Sequence, residues 1–510
     1  MYKTKRWLPI ALAAVFLQVS LGIFAIYYLD LLNMLPDDYL LLAAGTIIIL
    51  FLFTTWLMFS GLNKRPGIGR RIRRGIGLFL ALVMAFGSIG VAAVAFRVTE
   101  TVQAVTSADM DVQTTIGVYV RKASPAVKLR DTAAFAFGVI ANVDRENTEQ
   151  AVEAIDGDLN QSITVVPMGS MMDCAGALYE GKVQALILDE AYAEILADTE
   201  EYKDFKTNTR MVYEVPIVSA AAEDAEEEKA AGGLQADAAS TITEEPFIMY
   251  ISGSDTRNKK LVKGRSDVNI LMVMNPKTRQ VLLLNTPRDF YVKNPAGNNE
   301  MDKLTHCGLY GIDNSIQTLE QLYGIEIGYY SQINFTGFET LIDAIGGITV
   351  YSSYEFDAWT DHYSFVEGEN KMNGKQALAF ARERYSLPAG DNDRGKNEMR
   401  VITAIMNKVT SGSPKILMNY NEIMDSLEGM FATNLKPNDI SALVRMQIDD
   451  MAEWDIKSFA VTGEGGSDAS YSMQGGYSYV TYPNTARVKR AASLIEKVMN
   501  GENLTTADVV

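Results

Sequence analysis

The chain has 510 residues, 48% of them hydrophobic and 21% charged, with a formal net charge of −17. That length exceeds what a single core holds, so two or three domains are expected. Only Cys174 and Cys307 are present, which argues against a disulfide framework, and His306 beside Cys307 has no second ligand pair at zinc spacing.

The first 97 residues are apolar and basic. Three stretches, about 7–28, 39–59 and 75–96, each approach the roughly 20 residues a helix needs to cross a bilayer. A cleaved signal peptide suits the first poorly, because such segments are shorter and are not followed by two more spans. Lys3, Lys5 and Arg6 precede the first span, and Lys64, Arg65, Arg70, Arg71, Arg73 and Arg74 lie between the second and third. That bias places both basic flanks in the cytoplasm and residues from about 98 outside. A juxtamembrane basic run of this kind is a topology signal, so nucleic acid is not expected as a partner and the lipid bilayer is. Residues 1–97 hold ten Lys or Arg against three Asp or Glu, so the remainder carries −24. A polyanionic substrate therefore needs a local cluster of arginines to bind there.

Residues 98–219 read as a small α/β domain. Strands are expected at 116–120, 163–166, 183–188 and 213–218, with helices at 133–140 and 147–155. No catalytic constellation stands out in it. The Ala, Glu and Gly-rich run 220–245, with Glu226, Glu227 and Glu228 in a row, reads as an acidic linker.

Residues 246–505 form the second outer domain. Strands are expected at 247–252, 268–274 and 280–284, the last two joined by the turn Asn275-Pro276-Lys277-Thr278. Helical spacing follows at Ile316, Leu319 and Leu322 and from Phe335 to Ile345, closed by Gly346-Gly347 before a strand at 348–351. The tail reads as helical at 394–406, 420–430 and 486–499, interrupted by a Gly, Ser and Tyr-rich loop at 463–482.

Chemistry-bearing residues in this domain cluster at strand ends. Asp255 and Arg257 follow the first strand, Arg265-Ser266-Asp267 opens the second, and Pro287-Arg288-Asp289 closes the third. Arg382-Glu383-Arg384 and Asp391 to Arg394 come later; in an extended segment Arg382 and Arg384 face the same way and suit one ligand. Planar guanidiniums bind phosphate oxygens bidentately and keep their charge. Asp255 and Asp267 suit a shared Mg2+ or Mn2+ ion, although the spacing fits surface or N-cap aspartates paired with arginines equally well. For His306 a satisfied structural role outweighs catalysis, and His362 is expected in solvent.

At these residues, together with the run Asp302 to His306 and the segment Asp343 to Ile348, the sequence resembles the LytR-CpsA-Psr (LCP) family. The stretch 113–218 is similar, more loosely, to the accessory domain of capsule-type members. The resemblance implies an α/β fold, with an LCP-type mixed sheet flanked by helices. It also implies an apolar pocket for a polyprenyl chain and an arginine-lined mouth for its pyrophosphate. The implied activity transfers a polyprenyl-pyrophosphate-linked anionic glycan, a capsular polysaccharide or teichoic-acid-like polymer, to the peptidoglycan of a Gram-positive wall. Three spans leave room for capsule or wall-polymer synthesis and export proteins as lateral partners.

By the same resemblance Asp255 and Asp267 match metal ligands, and Arg257, Arg265, Arg288, Arg382, Arg384 and Arg394 match the arginines near the pyrophosphate. Asp289 orients Arg288 or accepts the hydroxyl proton, while Lys303 and Asp391 support the site. Where members commonly show Arg-Gln, this chain has Asn397-Glu398. Two other readings stay open from the residues alone: hydrolysis of the same lipid pyrophosphate, and a non-catalytic lipid-glycan scaffold or regulator.

Overall fold

The structure is a computed structural model that describes residues 4–60, 67–106, 114–141, 144–199, 201–217, 240–257, 260–411, 423, 426–427, 429–474 and 476–509. Three helices, α1 (Thr4–Leu32), α2 (Asp37–Phe59) and α3 (Ile68–Thr106), contain segments long and apolar enough to cross a membrane. Most of their large apolar side chains point outward, among them Phe16, Leu41 and Phe86. Water does not tolerate so apolar an exterior; lipid does.

Next comes a five-stranded sheet in the order β3-β2-β4-β1-β5, with β1 at Thr114–Arg121, β2 at Ala136–Ile140, β3 at Thr164–Met168, β4 at Ala185–Asp189 and β5 at Thr209–Ile217. The helices α4 (Arg145–Leu159), α5 (Met171–Glu180) and α6 (Glu190–Asp198) pack on it. The helix expected at 133–140 is instead β2, preceded by a short 3-10 turn at Leu129–Thr132. A five-residue apolar run carries no helical period, and pairing with β3 and β4 on either side makes it a strand.

The second unit is a mixed six-stranded sheet built around the hairpin of β7 (Val268–Asn275) and β8 (Gln280–Asn285). Including β6 (Phe247–Ser254), β9 (Tyr329–Asn334), β10 (Phe431–Thr433) and β11 (Asp455–Ala460), the order is β10-β9-β6-β7-β8-β11. The pairs β9-β6 and β8-β11 are parallel and the others antiparallel. The centre of β7 and β8 is buried on both faces, which explains their unbroken Val, Ile, Leu and Met runs.

One face carries α7 (Ile312–Tyr323) and α12 (Thr485–Met499), packed through Leu319, Leu494 and Val498. The other carries α10 (Asp391–Thr410) and α11 (Pro437–Asp450), through Met399, Met406 and Leu443. Beside them stand α8 (Phe335–Ala344) and α9 (Gly374–Arg382), which share a core with Phe356 and Phe365. Gly346 and Gly347 both take positive φ, which lets the chain leave α8 and start the following strand.

The run 463–482, expected as a loop, is an antiparallel hairpin of Gly463–Ala469 and Tyr477–Pro483. Gly465 and Gly466 lie under the rings of Tyr479 and Tyr482 of the opposite strand, and that compensates for their poor strand propensity. Of the linker and tail runs, 220–239 and most of 420–430 fall outside the described residues, whereas Ile242 is buried against the sheet and Ser240 hydrogen-bonds Asp439 at 2.6 Å.

Candidate active site

The site grows from the strand ends of β6, β7 and β8. Beneath them a buried hydroxyl network fixes the loop before β7. Tyr250 donates to Asn269 Oδ1 at 2.6 Å, and Ser266 Oγ lies 2.8 Å from both the Tyr250 and Ser252 hydroxyls. Asn269 Nδ2 in turn holds the Ser266 carbonyl at 2.8 Å. Ser266 is thereby pinned, and its neighbours Arg265 and Asp267 are presented to the cleft on a rigid turn.

Asp267 accepts from Arg288 Nη1 at 3.0 Å and from Thr305 Oγ1 at 3.1 Å. Burial alone raises its carboxyl, but the guanidiniums of Arg288, Arg265 and Arg394 outweigh that and hold it well below the usual carboxylate range. Arg288 is raised in turn, chiefly by the charge of Asp267. Its Nε lies 3.7 Å from Asp289, beyond hydrogen-bond reach, and is buried without an acceptor among the described residues. A buried donor left open in a cationic cleft is an invitation to an anionic ligand oxygen.

Asp289 also lies 3.4 Å from Lys303 Nζ. Asp391 holds Arg394 Nη2 at 2.8 Å, and Glu398 lies 3.4 Å from Arg394 Nε. Asp255 pairs with Arg265 Nη2 at 3.2 Å. Its carboxyl is raised by burial first and then by the charges of Asp267 and Glu194.

Asp255 and Asp267 are half-buried, and burial first and then the charge of Asp267 raise the Asp255 carboxyl. Among the described residues no three His, Cys, Asp or Glu side chains gather as a metal cage. A pair is nevertheless the donor set that suits Mg2+, which completes its shell with water and substrate oxygens.

Directly behind this charged rim lies an apolar cavity between the sheet and α8, α9 and α10, with an empty volume of about 1080 Å³ including its open mouth. Met249, Val268, Ile333, Phe338, Leu378 and Ile402 line it. Arg382 sits at its edge, 4.5 Å from the centroid of the Phe335 ring, and Arg257 lies 5.8 Å from the same ring while pairing with Glu339 at 3.0 Å. Arg384 goes elsewhere: it lies over Tyr385 at 4.7 Å and donates to that hydroxyl at 2.7 Å. The expectation that Arg382 and Arg384 share one extended segment fails, because Arg382 is the last residue of α9 and the extended backbone begins at Glu383.

The cleft thus brings together Asp255, Arg265, Asp267, Arg288, Asp289, Lys303, Asp391 and Arg394, with Arg257 and Arg382 around the neighbouring Phe335. One participant escaped the sequence reading, and a second entered it only as a departure from the common pattern. Glu194, from the first sheet's α6, reaches Arg265 at 3.4 Å, and no spacing signal announces it. Glu398 lines the apolar cavity itself; its departure from the common Arg-Gln pair was the available sign. His306 is buried with Nδ1 2.8 Å from Asp302, which also accepts from Asn294 and Ser472, so the pair is satisfied within the fold. His362 is exposed.

A model of the LytR_cpsA_psr family matches residues 213–493, more than half the chain. The chain belongs to the LytR_cpsA_psr family.

Several curated LCP relatives are similar to it. They include polyisoprenyl-teichoic acid–peptidoglycan teichoic acid transferase TagU of Bacillus licheniformis, 34% identical over 215 residues, which are 42% of this chain and 64% of that protein. The protein of that name from Oceanobacillus iheyensis is 37% identical over 203 residues, 38% of this chain and 61% of that one. The chain thus spans less than two thirds of the length of these relatives. Among solved structures, Bacillus subtilis TagU aligns with TM-score 0.40 and 27% identity over 51% of this LCP chain and 100% of its own. "TagT bound to LI-WTA" aligns with TM-score 0.41 and 23% identity over 52% and 95% respectively.

Proposed function

We propose that this LCP protein transfers a polyprenyl-pyrophosphate-linked anionic glycan to peptidoglycan, forming a phosphodiester and releasing polyprenyl phosphate. One observation carries the reading: an apolar cavity opens at a cleft where Arg265, Arg288 and Arg394 converge. An isoprenoid chain suits the cavity and a pyrophosphate suits the arginines. The names of the TagU relatives, teichoic acid transferases acting on peptidoglycan, support the same substrate class.

In this reading a wall-sugar hydroxyl attacks the phosphorus joined to the first sugar of the glycan. The new P–O bond forms as the bond to the bridging oxygen breaks, and polyprenyl phosphate departs with that electron pair. The hydroxyl proton passes to Asp289 or to water; Asp289, held by Lys303, is otherwise the residue that orients Arg288. Arg288, Arg394 and Arg265 neutralise charge on the phosphate oxygens, and Asp391 fixes Arg394 in place. Asp255 and Asp267 would hold a Mg2+ or Mn2+ ion, which would supply further charge neutralisation of the phosphate oxygens. Arg257 and Arg382 flank the approach of the glycan.

The helices α1, α2 and α3 act as a three-span anchor with residues from about 98 outside the cell. Two features support this orientation. The basic residues Arg70, Arg71, Arg73 and Arg74 open α3, and at the opposite end of the bundle the second sheet's α11 touches the anchor. There Arg445 pairs with Asp37 at 2.8 Å and Ser441 donates to the Leu32 carbonyl at 3.3 Å. The active cleft is thereby tethered close to the lipid that carries its substrate.

The full-length protein in nanodiscs, given a radiolabelled polyprenyl-pyrophosphate glycan, peptidoglycan oligomers and magnesium, tests the reading. Label that joins peptidoglycan supports it. Release of free glycan phosphate shows hydrolysis instead, and label that stays on lipid overturns catalysis in favour of a scaffold.

A further inference from the structure

Glu398 is an unusual side chain for a site that binds a polyanion. It projects from α10 into the junction of the apolar cavity and the arginine cluster, and only 7% of the residue is exposed. One carboxyl oxygen accepts from Asn285 Nδ2 at 3.2 Å, and the other lies 3.4 Å from Arg394 Nε. The approach to Asn285 is built in: Gly395, one turn before Glu398, lies so close that a Cβ there meets Asn285 Oδ1 at 2.3 Å. The carboxyl is thus held at the point where a lipid pyrophosphate passes from its isoprenoid chain to its phosphates. An ionised carboxylate there repels a phosphate oxygen at short range, whereas a protonated one donates to it.

We propose that Glu398 is a specificity residue whose protonated carboxyl donates a hydrogen bond to a non-bridging phosphate oxygen of the lipid-linked substrate and whose ionised form rejects that substrate. The inference rests on the lipid-pyrophosphate reading above.

The electrostatics around Glu398 agree with it. Burial raises the carboxyl first; Arg394 lowers it, Asp391 and Asp267 raise it, and Arg288 lowers it, with a balance at about 8. Asn285 from β8 is neutral, and Arg382 across the cavity mouth is the remaining charge on the lining. Near neutral pH the site therefore holds a proton that an anionic ligand retains further, because a bound phosphate disfavours ionisation of its neighbour. Binding and protonation are then reciprocally linked.

The test is calorimetric, with the full-length protein in nanodiscs and geranylgeranyl pyrophosphate as the probe, at about pH 6.5 and about pH 9. One unit above its pKa a carboxyl is roughly nine-tenths ionised, so the wild-type affinity falls about tenfold more across this interval than that of Glu398→Gln. Glutamine keeps the shape and a permanent donor, and equal melting temperatures verify its fold. A second measurement needs no variant: at about pH 8, in two buffers of different ionisation enthalpy, wild-type binding takes up a fraction of a proton. Equal pH slopes for the two proteins, or no proton uptake, overturn the role of Glu398 while leaving the lipid-pyrophosphate reading intact. Absence of binding by both proteins at both pH values overturns that reading and this inference together.

Discussion

Arg265 in the cleft lies 3.4 Å from Glu194, a residue of the preceding five-stranded sheet's helix, while its same Nη2 lies 3.2 Å from Asp255. The two units are joined at other points as well: Met171 N donates to Gln474 Oε1 at 3.0 Å, and Met473 is buried in the first unit's core. The first sheet therefore helps to set the position of a guanidinium in the second. Glu194→Ala is expected to lower turnover by roughly tenfold or less, the effect of about 1 kcal/mol of lost positioning, with little change in melting temperature. Steady-state kinetics beside thermal unfolding separate the two; unchanged turnover contradicts the link.

Asp267 is the counter-charge on which Arg288, Arg265 and Arg394 all lean. Asp267→Asn leaves three guanidiniums in one partly buried cleft with less negative charge between them. Loss of one partner of a buried pair costs about 3 kcal/mol, so denaturant unfolding is expected to shift by that order and transfer to disappear. A variant of wild-type stability contradicts this account of the cleft.

The apolar cavity is expected to select for isoprenoid length. Ile402 lines it from α10, and Ile402→Trp fills part of the space without introducing charge. Affinity for a long polyprenyl phosphate is expected to fall roughly tenfold or more, with a smaller change for a geranyl analogue, because each buried methylene contributes about 0.8 kcal/mol. Equal losses for both chain lengths place the lipid elsewhere.

The buried Asp302–His306 pair is expected to support the fold rather than the reaction. Burial raises Asp302, yet the His306 charge and hydrogen bonds from His306, Ser472 and Asn294 prevail and hold it below its ordinary value of 3.8. An acid depressed on folding stabilises above its unfolded pKa, and that contribution is lost as pH falls through the lowered value. Acid unfolding below about pH 4 is therefore expected to show a weaker pH dependence in Asp302→Asn, with a cost on the order of 2 kcal/mol near neutrality. Turnover per folded molecule is expected to stay near wild type, and a selective loss of turnover contradicts a structural role.

Much of this arrangement is legible in the sequence because the relevant signals are local. The runs at 247–252, 268–274 and 280–284 are buried strands, and Asp255, Asp267 and Arg288 sit at their ends, where a sheet of this kind gathers its site. Other features depend on tertiary neighbours. Ala136–Ile140 is a strand only because it pairs with β2's two neighbours, which a five-residue apolar run does not reveal. Tyr479 and Tyr482 cover Gly465 and Gly466 on the facing strand, a relation between positions more than ten residues apart. Arg384 turns to Tyr385 although its spacing from Arg382 suits a shared ligand. Glu194 enters the cleft from another sheet altogether, and no pattern within its own helix anticipates that.

The most direct test of the central claim follows the phosphorus. A polyprenyl-pyrophosphate glycan labelled with radioactive phosphorus at the sugar-proximal position is incubated with the full-length protein, magnesium and peptidoglycan oligomers, and the wall product is digested with a muramidase. Attack at that phosphorus predicts the label in a phosphodiester between glycan and muropeptide, present with wild type and absent with Arg288→Ala. Label in the released polyprenyl phosphate, or in free glycan phosphate with none on the muropeptide, contradicts the account.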